Sequence, residues 1–317
     1  MKKIVVLGGE TGLSVLLRGL KQFPLDITAI VTVADDGSSS GRLREEFDIF
    51  AVGDLRNVLV SLSEVEPLIE DLLQYRFVTD SSLNNHPMGN LLLTALYNIT
   101  GNLTESLRSL SKIFNIKGTI LPFTEENPVL IAHTTDGKII EGESNITKAG
   151  KEIDYIEYKN EVKPTKEVIK AIDEADLIIF GIGSLYTSII PNLLSKEVVE
   201  SLKNSKAKKM YVCNIMSEHG ETDNYKVSDC IKKINSYVKE DLMDVVVVNN
   251  KKVPDDIKER YLGETAGQID IDYDVLNDMN VEIIEDELLY ISEKKKVRHD
   301  PYRTALAIFN YIVKELK

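Results

Sequence analysis

The feature that most constrains this chain is a repeated alternation. Short apolar runs rich in β-branched residues, at 1–7, 27–33, 176–180, 209–213 and 245–248, end abruptly in glycines, carboxylates and hydroxyls. Runs this short that stay apolar on both faces read as strands of a parallel sheet covered on each side. Between them lie amphipathic stretches at 13–23, 64–75, 90–97, 103–114, 165–175, 196–202, 227–238 and 301–316, each predicting a helix. Strand, helix, strand in this rhythm implies right-handed crossovers, hence an α/β fold: three layers, doubly wound, a mainly parallel Rossmann-like sheet. The stretch 117–158 breaks the rhythm with short alternating runs around Asp136-Gly137, a hairpin dipeptide, and predicts a small inserted antiparallel element. No Pro-, Gly- or Ser-rich linker interrupts the chain, so residues 1–317 are expected to form a single α/β domain.

Charge and composition narrow the classes of partner. A formal charge of −13 opposes nonspecific attachment to nucleic acid or to anionic lipid, so any phosphate has to be met by local groups. No apolar run approaches the roughly 20 residues of a membrane-spanning helix, so no membrane insertion is expected. The four apolar residues after the two initial lysines are too few for a secretory leader and predict a first strand, with a cytoplasmic location. Cys213 and Cys230 are the only cysteines, which argues against a disulfide framework or a cysteine zinc site.

The loops after the runs carry the chemistry. Gly8-Gly9-Glu10-Thr11-Gly12-Leu13-Ser14 leads from the first run into a helix, where backbone N–H groups and the helix N-terminus favour an anion. A tight strand-to-helix turn would need the same glycines. Leu7 occupies the first glycine position of the nicotinamide fingerprint, which disfavours a dehydrogenase, and no Gly-Lys-Ser/Thr follows to make a P-loop. After the second run, Asp35 and Asp36 could accept from sugar hydroxyls or hold a divalent cation; an Asp-Gly turn before a serine-capped helix is the plainer alternative. In Gly53-Asp54-Leu55-Arg56-Asn57 the guanidinium could take a phosphate two-pronged, or pair internally with Asp54. His86 to Asn90 opens a further helix, and His86 could be structural or catalytic. Gly181 to Ser188 sets glycines and hydroxyls after the strongest strand, and Asn214 to Asp223 offers groups that could grip a base or sugar. Before the last helix, Asp300 reads as an N-cap with Pro301 at the first helical position, which leaves Arg298 for a ligand. Five such loops, each expected to follow a strand, point to one crevice at the carboxyl edge of the sheet.

The order of these motifs, Gly-Gly-x-Thr-Gly-Leu-Ser, Ala-Asp-Asp-Gly-x-Ser-x-Gly-x-Leu-Arg, Gly-Asp-x-Arg-Asn, Gly-Asn-Leu-Leu-Leu, Gly-Ser-Leu-Tyr-Thr-Ser-Ile-Ile-Pro-Asn-Leu and Cys-Asn-x-Met-x-x-x-Gly-Glu-Thr-Asp, resembles the gluconeogenesis factor family, within the phospholactate transferase (CofD-like) superfamily. The resemblance spans nearly the whole chain. It implies UDP-sugar binding, a cytoplasmic location and a regulatory role in cell shape and envelope growth on gluconeogenic carbon sources, through cell-envelope synthesis proteins as partners and in a chain that could form homo-oligomers. By position it implies a nucleotide surrounded by Gly8, Gly9, Thr11, Gly12, Asp35, Asp36, Asn57, Asn90, Gly183, Ser184, Leu185, Tyr186, Thr187 and Asn214. Arg298 would lie near the phosphates or sugar, and Tyr261 could stack on a ring. The sequence departs from the family pattern at Glu10, where a third glycine is usual, at Ile182 and Ala51-Val52, where prolines are usual, and at Asn85 to Met88. No catalytic residues follow from the motifs. The alternative is a metal-dependent phosphotransferase, with a divalent cation on Asp35, Asp36 or Asp54.

Overall fold

The structure, a computed structural model, describes residues 1–64, 67–263 and 266–316. In chain order the first half runs β1 (Lys2–Gly8), α1 (Glu10–Leu20), β2 (Leu25–Val31), α2 (Ser38–Phe47), α3 (Gly53–Leu62), α4 (Pro67–Gln74), α5 (Met88–Thr100), α6 (Leu103–Ile113) and β3 (Thr119–Pro122). An inserted unit follows: β4 (Leu130–Thr134), β5 (Ile139–Glu141), α7 (Glu143–Ala149) and β6 (Ile153–Tyr158). The second half is α8 (Lys166–Asp173), β7 (Leu177–Phe180), α9 (Lys196–Asn204), β8 (Lys208–Val212), α10 (Val227–Val238), β9 (Val245–Asn249), α11 (Asp255–Gly263), α12 (Tyr273–Asp278), β10 (Glu282–Asp286), β11 (Leu289–Ile291), β12 (Val297–His299) and α13 (Pro301–Glu315).

Seven strands form one sheet in the order β10-β9-β8-β7-β1-β2-β3, every neighbouring pair parallel. The chain winds outward from β1 through β2 to β3, then returns to the other side of β1 and winds out through β7. The switch point therefore lies between β1 and β7, where crossovers leave toward opposite faces and a crevice opens. Alternate residues of each central strand enter separate cores. Ile4, Val6, Ile179 and Val212 meet α1, α3, α6 and α13 on one face, while Val5, Leu7, Ile178 and Phe180 meet α8, α9, α10 and the inserted sheet on the other. Full burial of such a Val, Ile, Leu or Phe side chain contributes about 1.5–3 kcal/mol, so the strands beside the switch point are the stiff base of the site.

The doubly wound α/β reading holds, and two strands differ from it. Thr119–Pro122, expected inside the inserted element, instead pairs with β2 at the edge of the main sheet. The antiparallel unit starts at Leu130, in the order β5-β4-β6. Strand β10 was not legible because its edge position leaves Glu282 and Glu285 exposed. The helix expected over 64–75 spans Pro67–Gln74; Val65 and Glu66 lie outside the described residues, as does residue 317 of the expected domain. Among the described residues no helix is long and apolar enough to cross a membrane.

Candidate functional site

Three adjoining cavities surround the amino end of α1, and Thr11 lines all of them. The first, about 250 Å³, lies over the switch point between Gly12, Gly183, the Asn214–Glu218 loop, Tyr261 and Arg298. The second, about 300 Å³, continues from Arg298 and His299 past Val15 and Arg18 to Asn57. The third, about 210 Å³, is polar and holds Thr32, Asp35, Asp54, Asn57, Glu143, Thr187 and Ser188. Shared residues make them one groove at the carboxyl edge of the sheet, the position where open parallel sheets hold ligands.

Close packing fixes the amino end of α1. Gly9 is extended backbone that any residue could adopt, but a Cβ there would stand 2.6 Å from Thr32 Oγ1 and 2.9 Å from Asp54 Oδ2. The Asp54 carboxylate thus sits over the end expected to cradle an anion. Gly12 faces the Ile182 carbonyl with no room for a methyl group. Gly8 belongs to β1 and lines no part of the groove. The side chain of Glu10, one of the sequence departures, lies outside the described residues.

The two aspartates after β2 divide. Asp35 lines the polar cavity and accepts from Gly37 N at 2.8 Å. Asp36 turns away, accepting from the Ser144 amide at 2.8 Å and from the Ser144 hydroxyl. This contact needs glycine at 142, where φ is +94° and a Cβ would collide with Asp36 Oδ2. Asp36 therefore ties the inserted unit to the sheet instead of facing a ligand, and the tie carries Glu143 into the polar cavity. Asp35 and Asp36 thus face different surroundings, and among the described residues no three His, Cys, Asp or Glu side chains are placed to hold a metal ion.

The loop after β7 also differs from the sequence expectation. Gly183 and Thr187 line the groove, but Ser184, Leu185 and Tyr186 turn inward as a π-helical turn, Leu185–Ile189, is laid down. Ser184 Oγ accepts from Thr187 N and donates to the buried carboxylate of Glu221, which also accepts from Tyr186 N at 3.2 Å. The Tyr186 hydroxyl donates to the Ile153 carbonyl at 3.2 Å and meets Tyr225 at 3.0 Å. These three residues shape the loop from behind. Asn214 lines the first cavity and fixes the loop from β8, its Nδ2 donating to the Gly183 carbonyl at 2.9 Å. Tyr261 lines the same cavity and accepts from Val297 N at 2.9 Å; with Ile215, Met216 and Val297 it forms an apolar wall.

Asn57 lines the second and third cavities and accepts from Arg56 Nη2 at 2.8 Å. Arg56 is buried off the groove, with Nε unpartnered. Burial, reinforced by Arg76, lowers its pKa to about 10 against the opposing pull of Asp54 and Asp35. Asn90 and His86 also lie off the groove, around Ser39: Asn90 Nδ2 donates to Ser39 Oγ at 3.1 Å, and His86 Nδ1 meets it at 2.8 Å. The Gly53–Asn57 and His86–Asn90 motifs do not follow strands at all; they open α3 and α5.

Residues 4–289 match the family described as 2-phospho-L-lactate transferase CofD. The chain belongs to this family. Within it, the gluconeogenesis factor of Bacillus subtilis strain 168 is 46% identical over 304 residues, 96% of each chain. That of Listeria innocua is 42% identical over 308 residues, 96% of this chain and 94% of its own. A crystal structure of a Bacillus halodurans protein aligns with a TM-score of 0.93 at 45% identity, across 97% of this chain and 99% of that one.

Among the groove residues not nominated from the sequence, Glu143 and His299 bear most on the chemistry. Glu143 arrives through the inserted unit, whose docking no local pattern reveals. His299 lines the first two cavities at 4% exposure, and neither ring nitrogen has a hydrogen-bond partner of normal geometry. Burial holds its pKa at about 4, below the ordinary 6.5, against a weaker contact with the Cys213 backbone. It is therefore neutral at pH 7, one nitrogen a donor and the other an acceptor. The available signal was β-alternation: Val297 and His299 point inward on β12 while Arg298 points out into the groove.

Proposed function

We propose that the groove binds a nucleotide sugar, a UDP-sugar, as a regulatory ligand. The observation that carries this is the order of chemistry along one cleft: an apolar wall with an aromatic ring at Tyr261, a cationic middle at Arg298, and a polar end rich in carboxylates and hydroxyls. Base, diphosphate and sugar present the complementary order. Arg298 would supply the charge-assisted contacts a diphosphate needs in a chain of net charge −13. His299 would recover its missing partners from the ligand, since a buried unpaired donor or acceptor costs about 1–3 kcal/mol. The relatives' name, gluconeogenesis factor, supports a gluconeogenesis-related role. In our reading the protein acts in the cytoplasm, and occupancy of the groove changes its contacts with cell-envelope synthesis proteins and so cell shape.

The name 2-phospho-L-lactate transferase attached to the family, together with Asp35 and Asp54 in one cavity, supports a second reading as a phosphotransferase. In that reading a divalent cation on Asp35 and Asp54 would stabilise charge on a transferred phosphoryl group. Thermal unfolding with UDP-glucose, UDP, GDP and NAD, each with and without magnesium, separates the two. A ligand at a hundredfold excess over its Kd adds about 2.7 kcal/mol, a shift of several degrees. A magnesium-independent shift with UDP-glucose supports the nucleotide-sugar reading. No shift there, with a magnesium-dependent response to GDP, favours the transferase.

A further inference from the structure

We propose that the polar third cavity receives the sugar ring and restricts it to uncharged sugars, excluding uronic acids, with the inserted unit supplying the discrimination through Glu143. The inference rests on the nucleotide-sugar reading and adds the class of sugar. Three carboxylates from three separate parts of the chain line this cavity: Asp35 after β2, Asp54 in the first turn of α3, and Glu143 at the start of α7. With them is Ser188, 1% exposed, whose hydroxyl has no hydrogen-bond partner. A buried hydroxyl left unpaired is costly unless something arrives to pair it.

The chemistry of the lining selects the guest. Ionised carboxylates only accept hydrogen bonds, whereas sugar hydroxyls can donate them, and Ser188 can donate or accept. A phosphate in the same place would face like charges, and Asp54 already stands over the amino end of α1. Two guanidiniums act electrostatically on these carboxylates without lining the cavity, Arg56 on Asp54 and then Asp35, and Arg44 on Asp36 and then Asp35. Arg44 donates to the carbonyls of Ala34, Asp35 and Pro128, and Arg56 donates to Asn57. A sugar whose hydroxymethyl is oxidised to a carboxylate would bring a fourth negative charge among three. Rejecting a competitor by like charge is an ordinary route to specificity. Glu143 owes its place to the bonds from Ser144 to Asp36, so the discrimination is carried by a unit outside the main sheet.

Calorimetric titration of the whole protein with UDP, UDP-glucose and UDP-glucuronate, in EDTA and then in magnesium, tests this. UDP-glucose is expected to bind more tightly than UDP, and UDP-glucuronate about tenfold more weakly than UDP-glucose. Glu143→Gln is expected to narrow that gap to about threefold, with circular dichroism and thermal unfolding of the variant reporting that it is folded. Equal affinity for the two sugars, or a gap untouched by Glu143→Gln, overturns the proposal and leaves nucleotide-sugar binding standing. Preference for the glucuronate once magnesium is added also overturns it, since the cavity would then hold a cation. If none of the three ligands binds, the nucleotide-sugar reading fails and the proposal with it.

Discussion

At the residue scale, His299 makes the sharpest prediction. Its folded pKa of about 4 lies below the ordinary 6.5, so the unfolded chain takes up the proton first as pH falls. The stabilisation is complete above pH 6.5 and is lost on acidification through pH 4, up to about 3 kcal/mol in all. Denaturant unfolding from pH 7 to 4 should show this loss, and His299→Leu should flatten it. The same variant should not lower stability at pH 7, because it breaks no hydrogen bond of normal geometry and removes two buried unpaired nitrogens. Affinity for UDP-glucose should fall about tenfold if the imidazole meets the ligand. Gly12→Ala tests the close approach of α1 to the loop after β7: with the Ile182 carbonyl in the way, it should cost about 1–3 kcal/mol in Tm-derived stability.

The glycine loops were legible in the sequence because a glycine forced by crowding is a local fact. The direction of a side chain beside it is not. Asp35 and Asp36 are neighbours in sequence, yet one faces the cavity and the other caps a helix more than a hundred residues away. Ser184 and Tyr186 looked like ligand groups because hydroxyls after a strand usually are, but the buried Glu221 draws the Ser184 hydroxyl and the Tyr186 amide inward.

At the element scale, the central strands were readable since burial on both faces writes a continuous apolar run, whereas the edge strand β10 carries exposed glutamates, and β3, buried at three of its four positions, was placed with the inserted element instead of beside β2. Helices α2 and α3, opening on serines and glycine, entered the sequence reading only as alternatives to ligand loops. The inserted unit is held to the sheet at Asp36, and again where the Ile153 amide donates to the Gly220 carbonyl at 3.2 Å. Asp36→Ala removes the acceptor for the first turn of α7 and should destabilise by about 0.5–2 kcal/mol. Hydrogen exchange should then rise over 130–158 while the strands β1 and β7 keep their protection. Equal loosening of both would show that the unit and the sheet open together.

At the scale of the whole molecule, winding order places the site. Outward crossovers from β1 in both directions leave a crevice between β1 and β7, and three successive strand ends, after β1, β7 and β8, deliver Thr11, Gly183 and Asn214 to its rim. A strongly acidic chain then concentrates its usable positive charge in the groove at Arg298, beside an Arg18 that is paired with Glu70 at 2.7 Å. Arg298→Ala should weaken binding of UDP-glucose and UDP alike by about tenfold or more, the loss expected where a diphosphate contact disappears, with unfolding stability nearly unchanged because the residue is exposed.

The most direct test is hydrogen exchange of the whole protein with and without saturating UDP-glucose. Added protection is expected over 11–15, 183–188, 214–218 and 297–299, the segments that meet in the groove. Protection confined to other segments, or none at saturation, would contradict a nucleotide-sugar site at the switch point.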